Sequence, residues 1–161
     1  MEASVIELNL PASLQYLNVL SACLGEILAQ LDEVPDRAQA TYNLQLAVHE
    51  IGANIVEHAY AGAAGRIAVT LTLSVTPRRL IVELRDDATR TFNPVKLQEP
   101  ALDDLQTRGR GVWLTRQLTD ELVYQSRDNQ CWRAEQGGTW QPCLGASPGT
   151  GQNYWRLSKS L

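Results

Sequence analysis

At 161 residues the chain is long enough for one domain with a proper core and too short for two ordinary ones, so a single domain over residues 1–161 is expected. Asp and Glu number 18 against 14 Lys and Arg, giving a formal charge of −4, and no dense basic run is present to neutralise a phosphate backbone, which disfavours direct nucleic-acid binding. Acidic residues stand at Glu2 and Glu7, where a signal peptide needs basic ones, and no apolar run reaches the length of a membrane span, so a cytoplasmic protein without a membrane segment is expected. Cys23, Cys131 and Cys143 are odd in number and lack any C-x-x-C spacing. Neither a disulfide framework nor a zinc site is indicated, and reduced, mostly structural thiols are expected.

In chain order, Val5 to Leu10 partly alternates and then breaks at Pro11-Ala12-Ser13, predicting a first strand, at a sheet edge, that leads into a helix. Leu17, Leu20, Leu24, Ile27 or Leu28, and Leu31 recur at three- and four-residue spacing, the pattern of an amphipathic helix that ends near Asp32 to Pro35. Asp36 can cap a second helix, which runs to the small-residue stretch Ala61-Gly62-Ala63-Ala64-Gly65. Ile67, Val69, Leu71, Leu73 and Val75 then alternate strictly with polar or small residues, and Leu80, Val82 and Leu84 repeat the pattern after Thr76-Pro77-Arg78-Arg79. This predicts an antiparallel hairpin whose second strand ends at Asp86-Asp87. From Ala88 to Arg108 neither period is sustained, predicting a long mobile loop of the kind that serves as a lid. Gly109-Arg110-Gly111 closes it, a short helix follows from Val112 to Leu118, and strands are predicted at Glu121–Ser126 and Tyr154–Ser158. The intervening Arg127–Gln152, rich in Gly and containing Trp132 and Trp140, is expected to be a poorly ordered hairpin extension.

Within the second helix, Glu50 and Asn54 fall about 40° apart on one face, beside an apolar stripe of Leu44, Val48, Ile51 and Ile55. The two polar groups therefore stand at the rim of the core. A carboxylate there can take a proton from a water or hydroxyl, and a carboxamide oxygen is a hard ligand suited to Mg²⁺. The same spacing also describes a solvated helix edge. Gly52, which costs about 1 kcal/mol against alanine inside a helix, implies that something packs closely beside it. His49 and His58 have no second metal-type ligand at a diagnostic spacing and read as surface or packing residues. Asp86 at a strand end can accept from an exocyclic amine such as that of adenine, although Asp86-Asp87 can equally start a turn. Gly109-Arg110-Gly111 at a helix start offers backbone N–H groups to a phosphate, but G-x-G alone is a weak signal.

Taken in order, an E-x-x-x-N helix, a hairpin ending in Asp86, a long loop and a G-x-G-x-x-L helix resemble the ATPase family of gyrase B and the histidine kinases. Within it the chain is most similar to the bacterial anti-sigma-factor serine kinases. Glu50, Asn54, His58, Ala59 and Tyr60 match their Glu-x-x-x-Asn-x-x-x-His-Ala-Tyr helix, Gly109, Arg110, Gly111, Val112 and Leu114 their glycine-rich segment, and Leu157 and Lys159 their closing strand. The resemblance covers about Val5 to Lys159. It implies an α/β two-layer sandwich, with helices on one face of a mixed, mostly antiparallel sheet. It further implies that Asn54 holds Mg²⁺ on the triphosphate, Glu50 is the general base, and Asp86 takes the adenine amine. Gly109 and Gly111 would flank the phosphates, with Arg108 or Arg110 supplying charge and Val112 following in the same segment.

The implied activity is ATP-dependent phosphorylation of a serine or threonine on a small anti-anti-sigma protein of the STAS type, with sequestration of a sigma factor in another state. Pairing as a homodimer is left open. Three departures stand out: Ala88 replaces the glycine of D-x-G, where its methyl is expected to crowd the adenine or its bridging water, Asn153 stands near where a threonine often precedes the last strand, and the insertion between Arg127 and Gln152 is longer than the tight hairpin expected there. The alternative reading, which Ala88 favours, is an interaction module that keeps the fold, with or without nucleotide, and regulates by sequestering a partner.

Overall fold

The computed structural model describes residues 3–96, 110–145 and 151–161. The first strand, β1 (Ser4–Pro11), leads through the extended Ser13 into α1 (Leu14–Ala29), whose Leu17, Leu20, Leu24 and Leu28 are buried. Asp36 caps α2 (Arg37–Asn54) by accepting from the Gln39 N–H at 3.4 Å. The stripe predicted for α2 is the buried one: Leu44, Val48, Ile51 and Ile55 are each at most 1% exposed. A close neighbour of Gly52 is also explained, because a Cβ there would stand 2.7 Å from Leu17 Cδ2. The glycine lets α1 cross α2, on a side of the helix about 200° round from Glu50.

The predicted hairpin is β2 (Arg66–Val75) and β3 (Arg78–Asp86), and after a 3₁₀ turn at Pro94–Lys96 the chain resumes in α3 (Arg110–Leu118) and β4 (Glu121–Gln125). β5 (Cys131–Glu135), β6 (Gln141–Pro142) and β7 (Asn153–Ser160) complete a seven-stranded sheet of order β1-β2-β3-β7-β4-β5-β6. Each of its six neighbouring pairs is antiparallel. Side chains alternate across the strands, so Ile67, Val69, Leu71, Leu80, Val82, Leu84, Leu122, Tyr124, Trp155 and Leu157 point to one side and pack with α1, α2 and Val112 of α3 in one core. The opposite face is a polar lattice in which the Tyr154 hydroxyl donates to Glu83 at 2.7 Å and Glu121 pairs with both Arg156 and Arg133, at 2.9 and 2.7 Å. Helices on one face of a largely antiparallel sheet are thus the architecture found.

Two expectations are corrected in the segment before β7. Its described part is an ordered hairpin: β5 pairs with β4 along its whole length, and the Trp132 ring stacks on Tyr124 at 6.1 Å. The apolar rings supply the burial that a Gly-rich composition hides. Cys131 and Cys143 are also not reduced thiols but a disulfide, with Cα atoms 5.1 Å apart, leaving Cys23 as the free cysteine. The hairpin makes neighbours of residues 12 apart, which a search for C-x-x-C spacing does not detect.

Candidate functional site

The polar edge of α2 carries the expected pair: Glu50 and Asn54 are both half-buried, one turn apart, on a helix whose apolar side is locked into the core. Regular α-helix stops at Asn54. The next turn, Ile55–Ala59, is π-helical, with the Tyr60 N–H reaching back to Ile55 O at 2.9 Å. Such single wide turns occur often at functional sites because they re-aim the residues beside them. Tyr60 then ties this helix end to the sheet: its hydroxyl donates to Arg66 O at 2.7 Å and accepts from the Asp87 N–H at 3.0 Å. Gly65 makes room for the ring, since a Cβ there would lie 2.2 Å from Tyr60 Cε1.

One corner of the site forms where α3 begins. A Cβ on Gly111 would stand 2.2 Å from Glu50 Oε2, so the carboxylate lies against the bare Cα in the first turn of α3. Only glycine permits that approach. The helix is fixed there by Val112, which enters the core, and by the Thr115 hydroxyl, 3.2 Å from Ala47 O of α2. Arg110 is exposed at the helix start. Arg108, Gly109 and most of the predicted lid lie outside the described residues.

The other corner is the end of β3. Asp86 is 1% exposed, and its Oδ1 accepts from the Ala88 N–H and from Asn153 Nδ2, both at 3.0 Å. Its Oδ2 is buried and has no hydrogen-bond partner among the described residues. Burial pushes the carboxyl up to about 6, and Asp87 adds to this, while the Asn153 and Ala88 hydrogen bonds and Arg127 pull the other way. Asn153, opposite Asp86 in the β3–β7 register, is the hub of this corner. Its amide also reaches Ala88 O and Arg90 O, at 3.2 and 3.0 Å, and its Oδ1 takes the Arg127 N–H at 3.0 Å and the Tyr124 hydroxyl at 3.3 Å. Ala88 is 5% exposed, and its carbonyl also accepts from the Arg127 guanidinium at 3.2 Å. Beyond it, the Phe92 N–H donates to the Tyr124 hydroxyl at 2.8 Å and its ring leans on Trp155 at 5.2 Å.

Glu50, Arg110, Gly111 and Val112 are therefore brought together at one corner, and Asp86, Ala88 and Asn153 at the other. Sequence reasoning missed the bridging task of Tyr60, the Thr115 tie, and the whole attachment of the 131–143 hairpin. Two cysteines flanking a Trp-bearing stretch were the available signal for the last. Chemically, the first corner offers a carboxylate beside the backbone of the first described turn of α3, suited to a phosphate and a proton. The second offers a buried acceptor without a donor, suited to an N–H of a planar ligand. No group of three or more His, Cys, Asp or Glu able to hold a metal occurs among the described residues, so a cation here needs oxygens brought by its ligand.

The two-layer sandwich thus sets the E-x-x-x-N helix at one corner and the buried strand-end aspartate at the other. The family described as Histidine kinase-like ATPase domain matches residues 10–133, most of the chain, and the chain belongs to that family. Among characterised proteins, it is similar to the serine-protein kinase RsbW of Bacillus pumilus (strain SAFR-032), 27% identical over 131 residues that span 76% of this chain and 78% of that one. RsbW of Bacillus thuringiensis (strain Al Hakam) is 24% identical over 125 residues, 73% of this chain and 74% of its own. RsbW of Bacillus licheniformis is 27% identical over 131 residues, covering 76% and 79%. No helix among the described residues is long and apolar enough to cross a membrane.

Proposed function

We propose that the chain is an ATP-dependent serine/threonine protein kinase that acts as an anti-sigma regulator: it phosphorylates a small anti-anti-sigma partner of the STAS type and, in another state, sequesters a sigma factor. The observation that supports this reading is the contact of the Glu50 carboxylate with Gly111, in the segment that we read as taking the phosphates. The name serine-protein kinase borne by its relatives supports it. ATP is taken with its adenine amine donating to Asp86 Oδ2, the buried acceptor that lacks a donor, and its phosphates near the first turn of α3. Asn54 would hold Mg²⁺, which when bound neutralises charge on the phosphate oxygens. Glu50 accepts the proton of the partner's hydroxyl as that oxygen bonds to the γ-phosphorus. The bond from the γ-phosphorus to its bridging oxygen breaks, and ADP leaves with the electron pair.

The test is single-turnover phosphorylation of the partner, with ATP affinity measured alongside. Glu50→Gln keeps shape and polarity but accepts no proton, so affinity should hold while transfer falls by roughly 10²–10⁴-fold. Equal transfer by both proteins would remove Glu50 from the chemistry. Absence of transfer by either, with partner binding intact, would favour the sequestering module instead. Asn54→Ala, at a half-buried position, should abolish Mg²⁺-dependent ATP binding in a protein that unfolds like the parent.

A further inference from the structure

The proposed reaction leaves the hairpin between β4 and β7 without a task. β6 is two residues long, Trp132 faces Pro142 and Arg133 faces Gln141, and beyond the Trp132–Pro142 pair the Cys143 N–H donates to Cys131 O at 2.9 Å where the two sulfurs are joined. So short a strand holds a hairpin poorly, and the bridge supplies what pairing does not. The hairpin's turn is strapped to α3. Gly137 N–H donates to Arg116 O at 3.0 Å, the Arg116 guanidinium donates to Gly138 O, and Gln136 Nε2 donates to Gln117 O at 3.0 Å. Arg116 is buried and lies over the Trp140 ring at 5.7 Å. The same ring meets Phe92 edge-on at 6.4 Å. Trp140 therefore touches one element leading to each corner: the last turn of α3, whose opposite end lies against Glu50, and Phe92, six residues beyond Asp86.

We propose that this hairpin braces the nucleotide site, with Trp140 as a positioning residue and the Cys131–Cys143 bridge as its clasp, so that opening the bridge weakens nucleotide binding. The proposal rests on the nucleotide-binding reading above. The electron donor is a dithiol. One thiolate of the donor attacks Cys143 Sγ, in the more accessible half of the bridge, since Cys131 is 6% exposed. The S–S bond breaks, Cys131 departs as thiolate and takes a proton, and a mixed disulfide remains on Cys143. The donor's second thiol displaces it, so two electrons and two protons reach the cysteine pair and the donor leaves as a disulfide. In reducing compartments, bridges of this kind are characteristically sensors rather than staples.

The experiment uses the full chain, oxidised, reduced with dithiothreitol, and reoxidised, with backbone hydrogen exchange measured without nucleotide and affinity measured for ADP with Mg²⁺. Reduction should speed exchange at Phe92 and along α3 and weaken ADP binding about tenfold, within the range usual for coupled sites, and reoxidation should restore both. Trp140→Ala with the bridge intact should reproduce the weakening, Trp140→Phe should largely rescue it, and the KM for ATP should rise with little change in kcat. Equal exchange and affinity in the two redox states would overturn the brace. Faster exchange with unchanged affinity would overturn its coupling to nucleotide. A redox-dependent exchange pattern in a protein that binds no nucleotide in either state would instead refute the nucleotide reading while upholding the brace.

Discussion

A carboxylate sealed from water with one oxygen unanswered is costly to keep ionised, and Asp86 is held in that condition at the end of β3. Its pKa, raised from 3.8 to about 6, means that the folded chain holds this proton more tightly than the unfolded chain does. The associated stability is complete below about pH 3.8 and is lost as pH rises through about 6, leaving the ligand-free protein about 3 kcal/mol poorer at pH 7 on this account. Asp86→Asn should therefore stabilise the ligand-free protein at pH 7 by about 1–3 kcal/mol, and by little near pH 4, in urea titrations at the two values. The same variant should bind nucleotide far more weakly. For the wild type, nucleotide affinity should drop about tenfold for each pH unit below about 6, because the acceptor is being protonated. A flat profile between pH 5 and 7 would mean that the amine does not meet this oxygen. At the opposite corner, Gly111→Ala drives a methyl into Glu50 Oε2. The side chain can swing aside, so the free energy of unfolding should change by only about 1 kcal/mol while phosphoryl transfer falls by at least tenfold.

At the scale of elements, α2 was legible because Leu44, Val48, Ile51 and Ile55 keep one helical period, and β2 and β3 because their apolar residues keep a period of two. Periodicity reports which face is buried, and that sufficed to put Glu50 and Asn54 at the rim of the core. It is blind to hydrogen-bond offset, so the π turn at Ile55–Ala59 left no trace in the pattern. It is equally blind to contacts that the sheet order creates. Asn153 meets Asp86 only because β7 lies beside β3, and Trp140 meets Arg116 only because the hairpin folds back on α3. The motif residue Tyr60 was legible as a match, and its task emerged only with Arg66 and Asp87 in place. Tyr60→Phe removes both hydrogen bonds and should cost about 1–2 kcal/mol in chemical denaturation, with faster hydrogen exchange at Asp87. Unchanged exchange there would show that the helix end does not hold the Asp86 turn.

For the molecule as a whole, the aromatic centre of the sheet decides stability. Trp155 is 1% exposed and packs against Tyr124 at 4.5 Å and Phe92 at 5.2 Å, so Trp155→Ala should cost about 3–5 kcal/mol in a reversible unfolding experiment. The strand that carries Trp155 also has a temporal consequence. β7 pairs with β3 on one side and β4 on the other, yet it is the last of the seven strands to leave a ribosome. Until then the β1–β3 layer and the β4–β6 layer share no rung of the sheet, and the Asp86 corner lacks Asn153. Bringing Asn153 to Asp86 closes a loop of nearly 70 residues, an entropic step that comes before any contact it rewards. A nascent chain therefore has no completed Asp86 corner, and on the proposed reading nucleotide can assist its maturation only after synthesis has carried β7 into the middle of the sheet.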